Sequence, residues 1–389
     1  MSISIETLTG EFEAPAEVRN FAHTPGVEIA FGPGVIASLG ERVKPLTRRG
    51  RVLVVTDAGI REAGHVDKVL TALRSAGVQG RVFDEVRENP TTEDVDRCVA
   101  AAEMARADVL IGLGGGSSMD TAKGANFLLT NGGAMADYWG IGKAEKEMLP
   151  FVAIPTTAGT GSECQSFALI ADAETHRKMA CGDRKAAAQI AFLDPELTLT
   201  QPCGVTGPTG IDALAHAVET AVCKKRSEIS TQYSRLAFAL LDAAFEKVLV
   251  DPADLDARAR MQLGAAYAGT AIENSMLGAA HACANPLTAG FDVVHGEAVG
   301  IMLPHVIAMN QAASEDAATA YAELFEGDLV ERATQWLAVA GMPSSIAGHG
   351  VTEADLDKLA AGASDQWTAQ FNPVLADESA CRALYAAAL

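Results

Sequence analysis

The sequence has 389 residues, of which 49% are hydrophobic and 21% charged, and its 30 basic and 50 acidic side chains give a net charge of −20. These proportions are typical of a globular protein and exclude a disordered, collagen-like or coiled-coil chain. The acidic excess disfavours nucleic acid and anionic membranes, because binding them begins with Lys and Arg neutralising phosphate groups. At this length two domains are expected, and one large α/β domain is the alternative.

The sequence contains no candidate membrane span or secretory signal. Its richest apolar stretch, residues 236–250, is interrupted by charged side chains before it reaches the roughly 18 to 20 apolar residues of a membrane helix. The first residues are acidic and lack the basic start and apolar run of a signal peptide. The seven cysteines include no CxxC pair, which is typical of free thiols in a reducing compartment. We therefore expect a cytoplasmic protein without nucleic-acid or membrane partners.

Strand-like and helix-like runs alternate through the first half of the chain. In chain order they are strands at 27–32 and 51–57, a helix near 62–76, a strand at 80–86, a helix near 92–106, and strands at 107–116, 151–157 and 189–196. This alternation is typical of βαβ units in a parallel sheet covered by helices. Two of the strands are continuously apolar, as expected for strands buried on both faces.

From about residue 200 the sequence changes to Ala-rich segments with helical periodicity. These segments are 208–224, 228–249, 254–270, 274–284, 296–311, 313–324, 329–341 and the C-terminal DESACRALYAAAL. Strand-like runs of comparable quality are missing from this half. We therefore predict an α/β domain over residues 1–200 and an all-α domain over residues 201–389, with the boundary near Thr200.

A glycine run directly follows one of the buried strands. In IGLGGGSSMDTAK (111–123), Gly114, Gly115 and Gly116 stand between the strand and a helix. Glycines allow the backbone to approach a pyrophosphate closely, and Ser117 adds a hydroxyl at the N-terminus of the helix. Because the run does not match the G-x-G-x-x-G fingerprint, a tight turn without a ligand is the alternative.

Two further features favour a bound dinucleotide. Asp57 ends a strand, where a carboxylate can accept hydrogen bonds from a ribose hydroxyl. Its charge would repel the added phosphate of NADP, which favours NAD. The alternative is that Asp57 caps a helix. Thr156, Thr157 and Ser162 place hydroxyls beside two glycines in IPTTAGTGSE (154–163), after another strand. Two such loops at successive strand ends suit an extended dinucleotide.

Four side chains in the second half form a candidate metal site. Asp212 and His216 are four residues apart in a helical segment, which puts both on one face of the helix. His281 and His295 add two imidazoles in apolar surroundings. A surface hydrogen-bonded pair and two buried core histidines are the alternative.

This set of donors restricts the choice of metal. Three imidazoles and one carboxylate are of borderline softness, which suits Fe²⁺ or Zn²⁺ and not Ca²⁺ or Mg²⁺. One carboxylate against a dication leaves a net charge of about +1, which would lower the pKa of an alcohol hydroxyl. A site of this kind beside a nicotinamide would support hydride transfer.

Several segments along the chain together carry a resemblance to a known family. They are FGPG (31–34), VTD (55–57), NPT (89–91), GGGSSMDTAK (114–123), IPTTAGTGSE (154–163), GIDALAHAVE (210–219), HACANPL (281–287), HGEAVGIMLPHV (295–306) and the terminal ALYAAAL. From about Val27 to its C-terminus the chain resembles the iron-containing (group III) alcohol dehydrogenases, a family that includes lactaldehyde:propanediol oxidoreductase. The resemblance implies a Rossmann-like α/β domain followed by an all-α domain, the architecture of dehydroquinate synthase.

The resemblance also implies roles for individual residues. Asp212, His216, His281 and His295 match the family's metal ligands, and Lys178 matches a lysine near the nicotinamide ribose and phosphates. The full set of cofactor-binding candidates is Asp57, Asn89, Gly114, Gly115, Gly116, Ser117, Asp120, Thr156, Thr157, Ser162 and Lys178.

One catalytic position departs from the family pattern. Many members carry a second histidine four residues after the first, in HxxxHP, close to the nicotinamide, whereas this chain has Asn285 in HACANP. Asparagine can form hydrogen bonds but cannot carry a proton near neutral pH. Either water, a ribose hydroxyl or another group then relays the proton, or the substrate and chemistry differ from the family norm. Glu273 is a candidate for the relay, with an ordinary helix-surface acid as the alternative.

These features predict a metal-dependent alcohol dehydrogenase or aldehyde reductase that transfers a hydride between a small alcohol and NAD, acting as a homodimer. Two alternatives stay open. The same fold could act on a specialised polyol, hydroxy acid or phosphonate aldehyde, or recycle NAD without net redox change. A non-catalytic NAD or metal sensor is the other alternative.

Overall fold

The computed structural model describes residues 26–175 and 177–389, so the acidic N-terminal segment lies outside the described residues. The described chain divides into two compact units. One unit takes residues 26–157 and 161–201, and the other takes residues 158–160 and 202–389. None of the described helices combines the length and apolar character needed to cross a membrane.

The first unit is built on a parallel sheet of six strands in the order β1-β9-β6-β4-β2-β3. Its strands are β1 (Glu28–Phe31), β2 (Arg51–Val55), β3 (Gln79–Phe83), β4 (Val109–Gly114), β6 (Phe151–Pro155) and β9 (Ile190–Leu193). All six strands predicted for this half are therefore present, each with shorter bounds than predicted. Every residue of β4 and β6 is buried, which explains their continuously apolar sequences.

Five helices belong to this unit: α1 (Leu39–Val43), α2 (Ala58–Glu62), α3 (His65–Ser75), α4 (Thr92–Ala105) and α5 (Gly116–Asn131). The single helix predicted near 62–76 is thus two helices. They are separated at Gly64, whose φ of 81° favours glycine. Thr91 and Asp94 form a capping box at the start of α4.

A second, smaller sheet in the same unit was not predicted. It has three strands in the order β5-β8-β7, namely β5 (Gly140–Ile141), β7 (Phe167–Ala171) and β8 (Lys178–Gly182). Strands β7 and β8 are antiparallel and pair Phe167 with Gly182. A Cβ at Gly182 would lie 2.4 Å from the Phe167 ring, so glycine is required for this close approach.

The second unit is helical in the described residues. Its helices are α6 (Cys203–Val222), α7 (Glu228–Val250), α8 (Leu255–Glu273), α9 (Ala279–Phe291), α10 (His295–Ala313), α11 (Glu315–Leu324), α12 (Leu329–Val339), α13 (Leu356–Ser364) and α14 (Glu378–Ala388). Helix α13 was not predicted, and α9 begins five residues later than expected. The order of an α/β half before an all-α half confirms the predicted fold class.

Helix α6 lies at the centre of the helical unit. Its residues from Gly210 to Val222 are all buried. Three of them, Asp212, His216 and Glu219, carry ionisable side chains spaced by four and three residues, which places them along one side of the helix. Buried polar groups cost free energy unless they have partners, so this side of α6 requires polar neighbours or a ligand.

Candidate functional site

Three helices of the helical unit bring the predicted metal ligands together. On α6, Asp212 Oδ1 lies 3.5 Å from His216 Nε2, and on α9, His281 Nε2 lies 3.2 Å from the same oxygen. The rings of His216 and His281 are stacked with their centroids 4.8 Å apart. One ligand atom from each of these three residues lies within 4.8 Å of the others.

His295 completes the set from the first residue of α10. Its Nε2 lies 3.9 Å from Asp212 Oδ1, and its ring is 5.6 Å from that of His281. The His295 side chain is 33% exposed, whereas those of Asp212, His216 and His281 are at most 7% exposed. The cluster is therefore open to its surroundings on the side of His295.

The distances from Asp212 Oδ1 to the three imidazole nitrogens are compatible with one tetrahedral ion. Four ligand atoms at about 2.1 Å from a common centre lie about 3.4 Å apart, which is close to the spacing of the imidazole nitrogens from Asp212 Oδ1. Imidazole and carboxylate donors suit Fe²⁺ or Zn²⁺. The residues thus fit the metal by geometry and by donor chemistry.

Glu219 is a member of this site that sequence reasoning did not identify. Its Oε2 accepts a hydrogen bond from His281 Nδ1 at 2.5 Å, and its Oε1 accepts one from the backbone N–H of Ala280 at 2.7 Å. With Nδ1 donating to Glu219, the Nε2 lone pair of His281 points toward Asp212. The sequence did contain a signal for Glu219. It follows His216 by three residues, which places it on the same side of α6 as Asp212 and His216.

Electrostatic interactions within the cluster shift several pKa values. Burial alone would raise the pKa of Asp212, but His216, His281 and His295 outweigh burial and hold it below its usual range. Burial lowers the pKa of His216 to about 4. Burial also acts to lower the pKa of His281, but Glu219 and Asp212 raise it to about 9. The two carboxylates therefore favour a positive charge at the centre of the cluster, which a metal cation can supply in place of a proton.

Gly296 allows α10 to bring His295 to the site. A Cβ on Gly296 would lie 2.0 Å from the carbonyl oxygen of Pro208 on α6. No side chain larger than hydrogen fits at this distance, so the first turn of α10 can pack directly against α6 only with glycine here.

The predicted phosphate loop lies in the α/β unit between β4 and α5. Gly114 has a φ of 141°, a conformation that favours glycine, and a Cβ there would lie 2.6 Å from Ser118 Oγ. A Cβ on Gly115 would lie 3.6 Å from Thr157 Oγ1, so the two predicted loops are adjacent. Gly116 and Ser117 begin α5, where backbone N–H groups lack partners within the helix.

Asp57 and Thr156 flank this loop. Asp57 Oδ1 accepts a hydrogen bond from the N–H of Ile60 at 3.0 Å, so the helix cap considered as an alternative is present. The cap uses one oxygen, and the other, Oδ2, lies near Gly114. Thr156 Oγ1 is buried and has no hydrogen-bond partner among the described residues. The strand ends therefore offer a carboxylate oxygen and a hydroxyl to a ligand.

Asp120 and Ser162 lie in a buried network centred on Lys123. Ser162 Oγ donates to Asp120 Oδ1 at 2.8 Å and accepts from Lys123 Nζ at 2.9 Å. Lys123 Nζ also donates to the carbonyl oxygens of Ser162 at 2.7 Å and Phe167 at 3.0 Å. Sequence reasoning did not single out Lys123. Nearby, burial raises the pKa of Glu163 to about 7.

Side-chain hydrogen bonds also involve the remaining predicted residues Asn89, Lys178 and Asn285. Lys178 Nζ donates to Asn89 Oδ1 at 3.4 Å in the α/β unit. Asn285 lies one turn after His281 on α9, and its Nδ2 donates to Gln366 Oε1 at 3.0 Å. Gln366, just after the end of α13, was not identified from the sequence. Glu273, the candidate proton relay, is the last residue of α8.

We expect that replacing Glu219 with Gln will weaken metal binding by about 10- to 100-fold, because the amide no longer accepts from both His281 and Ala280 as a carboxylate does. Titration of the protein with Zn²⁺ against a competing chelator measures this affinity. The matched control is Glu246→Gln on the exposed side of α7. Equal affinity of the Glu219→Gln variant and the wild type would remove Glu219 from the site.

Comparison with known proteins identifies the family of both halves of the chain. The model described as "Iron-containing alcohol dehydrogenase" matches residues 26–195. The model described as "Fe-containing alcohol dehydrogenase family, C-terminal" matches residues 206–389. Together they cover both the α/β unit and the helical unit.

Individual relatives match over nearly their whole length. The NAD-dependent methanol dehydrogenase of Bacillus methanolicus is 34% identical over 371 residues, covering 92% of this chain and 97% of the relative. The crystal structure of a 1,3-propanediol oxidoreductase superposes with a TM-score of 0.89 at 32% identity, covering 94% of this chain and 98% of the other.

A third match is the sulfoacetaldehyde reductase of Bifidobacterium kashiwanohense, whose crystal structure was solved in complex with NAD⁺. It superposes with a TM-score of 0.85 at 25% identity, and the match covers 95% of this chain and 98% of the other. The matches of both family models and the full-length relatives confirm the predicted resemblance. The chain belongs to the iron-containing alcohol dehydrogenase family.

Proposed function

We propose that this protein is a metal-dependent alcohol dehydrogenase and aldehyde reductase that exchanges a hydride between a small alcohol and NAD. The observation that carries the proposal is the convergence of His216, His281 and His295 on Asp212 Oδ1 in a chain of this family. The NAD-dependent relative and the NAD⁺-bound structural neighbour support NAD as the cofactor.

Asp212, His216, His281 and His295 would hold the metal, and Glu219 would orient His281. A bound Fe²⁺ or Zn²⁺ supplies positive charge that lowers the pKa of a substrate hydroxyl and stabilises the oxygen as the α-hydride leaves. Because Asp212 is the one anionic ligand, it neutralises only part of that charge. Burial of Asp212, His216 and His281 would limit screening of that charge by water on every side except that of His295.

In the α/β unit, Gly114, Gly115 and Gly116 would receive the pyrophosphate of NAD on backbone N–H groups at the start of α5. Asp57 would accept hydrogen bonds from the adenosine ribose, and its charge would disfavour NADP. NAD supplies the hydride acceptor. The pair of Lys178 and Asn89 is proposed to contact the nicotinamide end.

A panel of substrates tests the proposal. Methanol, 1,3-propanediol and longer primary alcohols with NAD, and sulfoacetaldehyde with NADH, cover the chemistry named for the relatives. We expect NADH absorbance to change with at least one substrate class, and a much smaller change with NADP. A metal-loaded protein inert with the whole panel would contradict the proposal, and product formation without net change in NADH would favour an NAD-recycling reaction.

Asn285 gives a prediction about pH. In the variant Asn285→His, the new imidazole has an ordinary pKa of about 6.5, so alcohol oxidation relative to the wild type should rise as the pH increases through about 6.5. Below that pH the protonated imidazole cannot accept a proton. The pH profile of kcat/KM measures this, with Asn285→Ala as the control that adds no titrating group. A constant ratio of variant to wild type across that range would place position 285 away from the reacting atoms.

We further propose that the protein acts in the cytoplasm as a homodimer. The seven cysteines are all free in the structure, which supports a reducing compartment. Twofold pairs are the commonest assembly of soluble proteins. Sedimentation at several protein concentrations tests the dimer.

A further inference from the structure

A cavity of about 560 Å³ opens in the α/β unit at the edge where the strands begin. Its walls come from the start of β2, from β3 and from the last turn of α4. Three arginines line it, Arg51, Arg81 and Arg106. The volume falls within the range of about 300 to 1,000 Å³ that is typical of small-molecule sites.

The sheet register explains how two of the arginines meet. Parallel pairing of β2 with β3 sets Arg51 opposite Gln79 and Leu53 opposite Arg81. Paired residues and residues two apart along a strand point to the same face of a sheet, so Arg51 and Arg81 share one face with Leu53 between them. Arg51, Arg81 and Leu53 therefore line the cavity from one face of the sheet.

The end of α4 forms another wall of the cavity. Arg106 follows the last residue of α4 with a φ of 47°, a position usually taken by glycine or asparagine. Met104, in the same turn, also lines the cavity and is 83% exposed. The cavity therefore combines three guanidinium groups with apolar surface.

In the part of the chain that the structure describes, the guanidinium groups of these three arginines lack a paired carboxylate, although the backbone N–H of Arg51 donates to Asp108. Among the described residues no ion pair involves Arg51, Arg81 or Arg106, whereas arginines such as Arg42 and Arg61 do pair with carboxylates. The chain has 50 acidic side chains, so an arginine cluster without carboxylates is unexpected.

The carboxylate of Asp108, two residues after Arg106, is bound by other groups. Asp108 accepts hydrogen bonds from the backbone N–H groups of Arg48, Arg49 and Arg51 and from the hydroxyl of Thr47. These bonds lower the pKa of Asp108, although burial opposes them. Asp108 therefore stabilises the turn before β2, and its carboxylate is bound by backbone N–H groups and a hydroxyl and not by these guanidinium groups.

We propose that this cavity, lined by Arg51, Arg81 and Arg106, binds a small multivalent anion carrying phosphate or carboxylate groups. Guanidinium groups bind both kinds of oxyanion through paired, charge-assisted hydrogen bonds. The proposal is independent of the dehydrogenase function. The predicted pyrophosphate loop follows the opposite ends of the strands, about 15 Å away along β2.

Calorimetric titration tests the proposal at constant ionic strength, with fructose bisphosphate as the phosphate probe and tricarballylate as the carboxylate probe. We expect saturable binding of at least one probe, with one site per chain and a Kd below about 1 mM. In the double variant Arg81→Gln/Arg106→Gln, binding should weaken by at least about tenfold. Which probe binds more tightly distinguishes the two anion types.

The control variant is Arg74→Gln, which removes an exposed arginine of α3 outside the cavity and should bind the probes as the wild type does. NAD titrations should give equal affinities for all variants, because the changes lie away from the predicted cofactor loop. The single variant Arg81→Gln provides a second, milder test. The proposal fails if neither probe binds saturably to the wild type, or if the double variant binds as tightly as the wild type.

Discussion

Replacing Asp212 with Asn is expected to remove the metal and to lower kcat/KM for alcohol oxidation by at least about 100-fold. The substitution preserves the shape of the side chain but removes the charge that lies within 3.2 to 3.9 Å of three imidazole nitrogens. Elemental analysis of the purified variant measures the metal, and NADH formation measures the rate.

A surface aspartate provides the matched control. Asp316 on α11 is largely exposed and pairs with Arg226, so Asp316→Asn should retain both metal and activity. Asp212 lies in the buried cluster, whereas Asp316 is exposed and outside it. A loss of metal and activity in Asp212→Asn alone therefore assigns the effect to the cluster. A variant Asp212→Asn that keeps one metal per chain and full turnover would remove Asp212 from the ligand set.

The second large effect is expected on stability, from Lys123→Met. Lys123 is fully buried, and its Nζ donates to three oxygens of Ser162 and Phe167. Methionine would remove these three hydrogen bonds and would take the positive charge of Lys123 away from Asp120 and Glu163. Breaking a buried charged network of this kind costs about 3 to 5 kcal/mol of unfolding free energy.

Denaturant unfolding, followed separately by secondary-structure signal and by tryptophan fluorescence, measures this loss. Lys185→Met is the control, because Lys185 is partly exposed and, among the residues that the structure describes, its Nζ bonds to Ala144 and Asp183. We expect the control to lose about 1 kcal/mol or less. Unfolding of Lys123→Met at the same denaturant concentration as the wild type would show that the network contributes little.

Local sequence patterns predicted the parts of the fold that local physics determines. The six strands of the parallel sheet were recognisable from the alternation of strand-like and helix-like runs, and the strands at 51–57 and 107–116 also from continuous apolar sequence, because burial on both faces leaves no polar positions. The spacing of Asp212 and His216 indicated a shared helix face. His281 and His295 were added to this pair for two reasons. Both lie in apolar surroundings, and the family resemblance implies them as metal ligands.

Residues whose roles depend on distant partners were missed. Glu219 meets His281, which is 62 positions away in the sequence, and Gln366 meets Asn285 across 81 positions. Local sequence patterns contain no information about contacts between residues so far apart in the chain. Lys123 was overlooked because lysine is rarely buried, and here long-range hydrogen bonds to Ser162 and Phe167 make burial possible.

The start of α9 shows the same limit. The sequence predicted a helix from residue 274, but Asn274 is the C-cap that follows α8, and α9 begins at Ala279. The intervening Gly278 packs so closely that a Cβ would lie 2.9 Å from Asn372 Oδ1 and 3.1 Å from Glu219 Oε1. The break between the helices is therefore determined by tertiary packing, which the helix-favouring residues around it conceal.

The most direct test of the proposed function combines metal content and turnover in one sample. The protein is stripped with a chelator and then titrated with Fe²⁺ or Zn²⁺, while NADH formation from a primary alcohol is recorded at each step. We predict no turnover without metal and a linear rise that saturates at one metal per chain. Undiminished NAD-linked alcohol oxidation by protein that contains no metal would contradict the account.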